Sequence, residues 1–183
     1  MFDIGRRSGD LRVGHHVRMT TVCRLTEEGW ESLRDLRLEA LSEAPEAFGS
    51  SPARELGFKE SHWRMRLRST AWFVADDHGA QVGLVAGMPE PGAEPDDRHV
   101  LALWVRPTYR GHGVTADLLS AVASWARQDG ARTLSLWVVQ DNLAAQASYR
   151  RLGFEPSGVT MPLPRDPTRT EERWVRTLPD DAA

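Results

Sequence analysis

The chain has 183 residues with 40% hydrophobic and 27% charged side chains, which is typical of a single globular domain with its own core. Its net charge of −3 argues against nucleic acid and anionic membranes as main partners, and no apolar run approaches the ~20 residues of a membrane-spanning helix. The single cysteine, Cys23, excludes an internal disulfide, so we expect a cytoplasmic protein in which Cys23 is a small core residue.

Residues 1–18 differ from the rest of the chain. They mix Gly, Arg, His and Asp without a helix or strand period, which predicts a flexible N-terminal tail. A regular pattern begins at Met19, which is also a candidate natural start. We therefore expect one compact domain over residues 19–179.

From residue 20 onwards, apolar residues recur with helix or strand periodicity between turn residues. In chain order they predict a strand at 20–25, a helix with an apolar stripe from 30 to 41, a break at 42–51, a helix at 58–67, strands at 71–75 and 81–88, a loop at 89–97, a strand at 99–105, a helix at 114–129, a strand at 133–139, a helix from 142 to 152, and strands at 159–163 and 173–178. This order predicts an α+β fold rather than the βαβ alternation of a doubly wound sheet.

A short basic turn with two glycines joins the strand ending at Val105 to the next helix. Gly111 and Gly113 allow the backbone to approach a ligand closely. The first N–H groups of a helix lack partners inside the helix and its dipole favours negative charge, so this turn is a candidate phosphate site. Three side chains would add donors there: Arg110, His112 and Thr115.

The same turn is also consistent with a strand-to-helix connection that needs glycine only for its geometry. It is not a dinucleotide fingerprint, because the third glycine and the acidic residue on a following parallel strand are missing. It is not a P-loop either, because no Gly-Lys-Ser/Thr follows.

A second pattern lies on the helix after the strand at 133–139. Its polar and apolar residues are spaced by three, four and three positions and so share one helix face: Asn142, Ala145, Tyr149 and Leu152. Gly153 and Phe154 follow directly.

At this point the chain resembles the GNAT acetyltransferases, which use acetyl-coenzyme A. Their cofactor loop reads Arg/Gln-x-x-Gly-x-Gly/Ala, which Arg110, Gly113 and Thr115 match except at the last position. Their preceding strand reads x-Val-x-Pro, which Val105 and Pro107 match. Their later segment Asn-x-x-Ala-x-x-x-Tyr-x-x-x-Gly-Phe is matched in full between residues 142 and 154.

The resemblance is close over residues 99–154 and implies a GNAT fold, α/β sandwich-like, with about six to seven strands in a mixed sheet and about four helices. It implies that acetyl-coenzyme A binds along Leu103, Val105, Arg110, Gly111, His112, Gly113, Val114, Thr115 and Asn142. It further implies Tyr149 as the general acid that protonates the leaving thiolate. Asn142 is equally consistent with a helix N-cap, and the resemblance calls for no metal.

The resemblance leaves the general base and the acceptor open. His99, Asp97 and an ordered water are candidate bases, although an ordinary surface histidine is an alternative for His99. The acceptor side would be built around the first two helices, where the candidates are Glu43, Glu46, Phe48 and Trp63. Trp104 or Trp137, on neighbouring strands, is expected to line the acceptor channel.

The sequence therefore predicts an N-acetyltransferase that moves the acetyl group to a primary amine by direct attack. The acceptor would be a small molecule or a protein amine. The acidic side chains of Glu43 and Glu46 slightly favour a small cationic amine. A homodimer is consistent with this fold. Two alternatives are a non-catalytic acyl-coenzyme A sensor and an interaction module on the same fold.

Overall fold

The computed structural model describes residues 20–164 and 166–179. The predicted tail and the candidate start at Met19 lie outside these residues. The described part forms one sheet of seven strands: β1 (Thr21–Arg24), β2 (Ala71–Asp77), β3 (Ala80–Met88), β4 (Asp97–Val105), β5 (Thr133–Val139), β6 (Glu155–Leu163) and β7 (Asp166–Thr177). It also contains the helices α1 (Trp30–Glu43), α2 (Pro52–Leu56), α3 (Glu60–Ser69), α4 (Val114–Gln128) and α5 (Leu143–Arg151).

The strand order is β1-β2-β3-β4-β5-β7-β6. Within the described residues, β4 and β5 pair in parallel and every other neighbouring pair is antiparallel. The predicted α+β fold with a mixed central sheet is therefore confirmed. None of the described helices is long and apolar enough to cross a membrane.

The two faces of the sheet carry separate cores, because successive side chains of a strand point to opposite faces. In β2, Phe73 and Ala75 belong to the core that packs around α4, whereas Trp72 and Val74 belong to the core beneath α1 and α3. The central helix α4 contributes its buried stripe to the first core: Val114, Leu118, Leu119, Val122, Ala123 and Ala126.

Three sequence predictions need correction. Cys23 is exposed: it alternates along β1 with Val22, which packs against the core around α4, so its side chain points to the opposite face at the edge of the sheet. Helix α2 was not expected; Ser51 starts it by accepting a hydrogen bond from Arg54 N at 3.3 Å, a local cap without apolar periodicity. The last two strands are longer than predicted, since β6 and β7 form a hairpin whose exposed residues lack strict alternation.

The strands β4 and β5 diverge after three paired residues. They pair only at Asp97–Thr133, Arg98–Leu134 and His99–Ser135. Beyond this point β4 contains a bulge, in which Ala102 has a φ of 56° and the register against β3 shifts. The bulge turns β4 away from β5, which continues along β7. The sheet therefore opens at its centre.

Candidate functional site

A cleft of about 750 Å³ lies where β4 and β5 separate. Its walls come from both faces of the sheet, because the opening passes between the two strands. On the side of α4 and α5 it is lined by Val105, Arg110, Thr115, Asn142, Ala145, Ser148 and Tyr149. On the side of α1 and α3 it is lined by Arg37, Phe48, Arg66, Thr70, Trp72, His99, Leu101, Trp104, Trp137 and Glu171. Trp104 and Trp137 both line the cleft. That one of them borders the acceptor stays a prediction.

The glycine turn before α4 has backbone N–H groups available for a ligand. Gly111 has a φ of 79° and Gly113 has a φ of 89°, conformations that side chains rarely adopt. Among the described residues, none accepts a hydrogen bond from the N–H groups of residues 111–115. A Cβ atom added at either glycine would meet no atom within 4 Å. The glycines are thus required by the backbone conformation, and the space above them is open.

The side chain of Arg110 is directed back along the chain. Its Nε donates to the carbonyl oxygen of Val105 at 2.9 Å, and its Nη2 donates to Glu43 Oε2 at 2.5 Å. Glu43 also accepts a hydrogen bond from Trp104 Nε1 at 2.9 Å, and this bond, followed by the hydrogen bond from Arg110, lowers the pKa of Glu43. Arg110 therefore links the loop to β4 and α1, and the carboxylate of Glu43 is already engaged.

Other residues of the predicted cofactor site take different positions around the turn. The Nδ1 atom of the exposed His112 lies 2.9 Å from the carbonyl oxygen of Arg110. The half-buried Thr115 lines the cleft from the first turn of α4, and Val114 is buried beneath it. Thr115 thus faces the ligand space at the position where the family motif has Gly or Ala.

The strand β4 presents backbone atoms to the opening. Arg106 N donates to Val82 O on β3 at 2.8 Å, so by alternation the polar groups of Val105 point away from β3. Leu103 lies next to the bulge and is half-buried. Both residues line the cleft, and their contact with the cofactor stays a prediction.

Tyr149 lies on α5 and packs edge-on against Phe154, with 5.8 Å between the ring centroids. Within the described residues its hydroxyl has no hydrogen-bond partner, and the side chain lines the cleft. Burial raises the pKa of Tyr149 to about 12, so the phenol stays protonated at neutral pH. Asn142 caps the same helix, since its Oδ1 accepts from Ala145 N at 3.1 Å.

His99 is held by a hydrogen-bond network on the face of α1 and α3. Ser135 Oγ donates its one proton to Asp97 Oδ2 at 2.6 Å, because a carboxylate only accepts. Ser135 Oγ must then accept from His99 Nδ1 at 3.3 Å and from Arg173 Nη2 at 3.1 Å. This arrangement fixes the proton of the neutral imidazole on Nδ1 and leaves Nε2 as the acceptor.

Burial lowers the pKa of His99, although the charges of Glu90 and Asp97 oppose the shift. The side chain is 13% exposed and the residue lines the cleft, so His99 is not an ordinary surface histidine. Asp97 is buried and engaged by Ser135, Thr133 and Arg173. Its oxygens therefore serve to hold the network.

The four residues predicted for the acceptor side are dispersed. Phe48 lines the cleft, whereas Trp63 is fully buried outside its lining and Glu46 is exposed. Glu43 is bound to Arg110 and Trp104 as described above. The prediction of an acidic acceptor loop therefore finds no support in the position of Glu43.

Sequence reasoning missed a buried ionic cluster beside the cleft. Glu55 of α2 is fully buried and accepts from Arg37 Nη2 at 3.2 Å and Arg66 Nη1 at 2.7 Å. Burial alone would raise the pKa of Glu55, but the hydrogen bond from Arg66 and the charge of Arg37 outweigh it and lower the pKa. The position of Arg37 within the apolar stripe of α1 was the one available signal, because a charge there needs a buried partner.

The residues of the turn and the cleft fit the cofactor that the sequence implies. Free N–H groups at a helix start suit a pyrophosphate, and the polar backbone of Val105 suits an amide-containing arm beside an open strand. Thr115 is larger than the Gly or Ala of the family motif, but it leaves the N–H groups of residues 111–115 unpaired. Within residues 20–164 and 166–179, no group of three or more His, Cys, Asp or Glu side chains is placed to hold a metal ion.

Comparison with known proteins agrees with this geometry. The family model described as Acetyltransferase (GNAT) family matches residues 30–154, which is more than half of the chain. The chain belongs to the GNAT acetyltransferase family.

Two curated relatives illustrate how similar individual proteins are to this chain. An uncharacterized N-acetyltransferase of Methanocaldococcus jannaschii is 32% identical over 100 residues, which are 53% of this chain and 44% of that protein. L-2,4-diaminobutyric acid acetyltransferase of Streptomyces coelicolor is 35% identical over 88 residues, 48% of this chain and 51% of that protein. The chain spans about half the length of the curated relatives it matches.

A solved acetyltransferase of the GNAT family from Streptococcus pneumoniae superposes with a TM-score of 0.73 at 15% identity. The superposition covers 88% of this chain and 100% of that one. It supports the fold.

Proposed function

We propose that this protein is an N-acetyltransferase that moves the acetyl group of acetyl-coenzyme A to a primary amine by direct attack. The observation that carries the proposal is that Arg110 and Thr115 of the glycine turn and Tyr149 of α5 line the same cleft, next to the unpaired N–H groups of residues 111–115. This arrangement supports a phosphate-binding turn and a proton donor that act on one ligand.

The cofactor would be held by the predicted residues in three ways. The N–H groups of Gly111, His112, Gly113, Val114 and Thr115 would bind the pyrophosphate. The backbone of Leu103 and Val105 would bind the pantetheine arm. Arg110 would hold the loop in shape through Glu43, and Asn142 would fix the start of α5. Bound there, the cofactor supplies an acetyl thioester to the centre of the cleft.

His99 is our candidate for the group that removes a proton from the acceptor. An ammonium group carries no lone pair and must lose a proton before it attacks a carbonyl carbon. The Nε2 atom of His99 is the free acceptor of the imidazole, and its lowered pKa keeps it unprotonated at neutral pH. The proton would pass to Nε2 directly or through a water.

Tyr149 would act on the other side of the opening. Its protonated hydroxyl has no described partner and would donate a hydrogen bond to the thiolate as that charge develops. A phenol with a pKa of about 12 is a weak acid beside a thiol near 8.5. Tyr149 therefore contributes mainly by stabilising the negative charge of the thiolate with a hydrogen bond. The thiolate then takes up its proton by exchange with solvent.

The acceptor is an amine of a small molecule or of a protein. The relative from Streptomyces coelicolor is named for a small diamino acid, and a relative from Bacillus subtilis is named for an alanine of a ribosomal protein. These names support a primary amine and leave its carrier open. We also propose a cytoplasmic location and a homodimer, the latter because the edge strand β6 exposes Val159 and Met161.

Calorimetric titration with acetyl-coenzyme A, followed by thiol release with a panel of primary amines, tests the proposal. Micromolar binding and amine-dependent release of coenzyme A are expected. Binding without turnover of any amine would favour an acyl-coenzyme A sensor. The absence of binding at millimolar concentration would favour an interaction module.

A further inference from the structure

One end of the cleft carries hydrogen-bond donors that lack acceptors. Arg37 Nη1 and Trp72 Nε1 are both buried and have no hydrogen-bond partner among the described residues. Both residues line the cleft, although they are only 7% and 4% exposed. A buried donor without an acceptor costs about 1–3 kcal/mol, so two of them beside one cleft indicate a ligand that accepts hydrogen bonds.

The guanidinium groups at this end are held in place before any ligand binds. The Cζ atom of Arg37 lies 4.6 Å from the ring centroid of Phe48. The Cζ atom of Arg66 lies 4.9 Å from the ring centroid of Phe58 and 5.1 Å from that of Trp63. Because these contacts restrict both side chains, little conformational entropy would be lost when they bind a ligand.

The charge at this end favours a monoanion. Arg37 and Arg66 share one carboxylate, that of Glu55, so one positive charge remains uncompensated in the cluster. A carboxylate would balance this charge and offer two acceptor oxygens in one plane. A phosphate monoester carries a charge of about −1.5 to −2, which is more than the single uncompensated positive charge can balance.

We propose that Arg37, Arg66 and Trp72 form a carboxylate-binding subsite for the acceptor, and that the acceptor is therefore an amine that also carries a carboxylate, as an amino acid does. This inference rests on the proposed acetyltransferase function, because the subsite occupies the acceptor end of the same cleft. The indole N–H of Trp72 and the free N–H of Arg37 each donate to a carboxylate oxygen. The amine of the acceptor extends towards His99 and the opening between β4 and β5.

Binding can be tested without turnover. In the ¹⁵N-labelled protein with coenzyme A present, the indole N–H signals of Trp72 and Trp63 are assigned with the variants Trp72→Phe and Trp63→Phe. Titration with γ-aminobutyrate, β-alanine and α-amino acids should move the Trp72 signal downfield, whereas the matching carboxamides should leave it in place. If no carboxylate moves this signal at tens of millimolar, the subsite is wrong.

Kinetics supply a second test with a matched control. Trp72→Phe should raise the KM of a carboxylate acceptor relative to its carboxamide by about tenfold, which corresponds to about 1.4 kcal/mol. Trp174→Phe removes another buried indole N–H without a partner, but Trp174 packs in the core around α4 and does not line the cleft, so this preference should not change. Arg66→Met, which removes the excess charge, should also reduce the preference.

The outcomes separate this inference from the proposed function. Turnover of amines without any preference for the carboxylate overturns the subsite and leaves the acetyltransferase standing. A carboxylate-dependent shift of the Trp72 signal without turnover of any amine supports the subsite and contradicts the acetyltransferase. Equal loss of preference in Trp72→Phe and Trp174→Phe would attribute the effect to core packing and overturn the role of the Trp72 N–H.

Discussion

Glu43 Oε2 lies 2.5 Å from Arg110 Nη2 and so connects the last residue of α1 to the glycine turn before α4. The two residues are 67 positions apart in the sequence. The same carboxylate accepts from Trp104 on β4, so one side chain joins a helix, a strand and the turn. The shape of the glycine turn is thus coupled to α1.

Glu43→Gln tests this coupling. The pair is partly exposed, and such pairs contribute about 0.2–1 kcal/mol, so the Kd of coenzyme A should rise about 1.4- to fivefold in calorimetry. Glu39→Gln is the matched control, because Glu39 pairs with Arg106 and not with the turn. An equal rise in both variants would mean that the effect comes from α1 as a whole.

Two substitutions of Gly113 separate backbone strain from charge. Gly113→Ala introduces a side chain at a φ of 89°, which costs about 1–2 kcal/mol in the left-handed region. Gly113→Glu adds a negative charge where the pyrophosphate is expected, and its Kd for coenzyme A should rise well over tenfold, beyond the effect of alanine. If calorimetry gives the same Kd for both variants, the pyrophosphate does not lie at this turn.

The pH dependence of kcat/KM should report His99. The base acts in its neutral form, so the rate falls as pH drops below its pKa, and burial places that pKa below the ordinary value of 6.5. We expect an acidic limb below pH 6.5 in the wild type. His99→Gln should lower the rate and remove this limb. If the acidic limb is unchanged in His99→Gln, it arises from the titration of another group.

Tyr149→Phe should reduce kcat by about 10- to 100-fold, towards the lower end of general acid effects, because the phenol is a weak acid with a pKa of about 12. The Kd of coenzyme A should stay the same, because the hydroxyl interacts with charge that develops during the reaction. Unchanged turnover would remove Tyr149 from the mechanism.

Stability should depend on the buried carboxylate of Glu55. Glu55→Gln leaves Arg37 and Arg66 without a compensating charge, so the free energy of unfolding should fall by about 3–5 kcal/mol in urea denaturation. Glu60→Gln, which breaks an exposed pair with Arg64 on a helix, should cost about 0.3–0.5 kcal/mol and is the control.

The same residue gives a prediction for acid unfolding of the wild type. The pKa of Glu55 is lower in the folded protein than its ordinary value of 4.5, so its contribution is fully present above pH 4.5. It is lost as pH falls through the lower folded pKa. Urea denaturation between pH 6 and pH 3 should therefore show a loss of stability that is smaller in Glu55→Gln.

The sequence by itself determined the features that depend on neighbouring residues. The turn with Gly111 and Gly113, the stripe of α4 and the cap by Asn142 follow from backbone conformation and helix periodicity over a few positions. These local requirements predicted the α+β order of elements and the candidate cofactor turn, whereas the mixed GNAT sheet and the role of Tyr149 followed from the family resemblance. Local patterns failed for the burial of Cys23, for α2 and for the length of β6 and β7.

The tertiary structure decided every feature that joins distant segments. The partner of Arg110, the tautomer of His99 and the cluster around Glu55 depend on contacts across 11 to 67 positions. The partner of a long side chain depends on distance and desolvation in the folded protein, and no local sequence pattern encodes either of them. That Arg37 and Trp72 have donors without acceptors can be known only from the folded structure, because it depends on which atoms surround each donor.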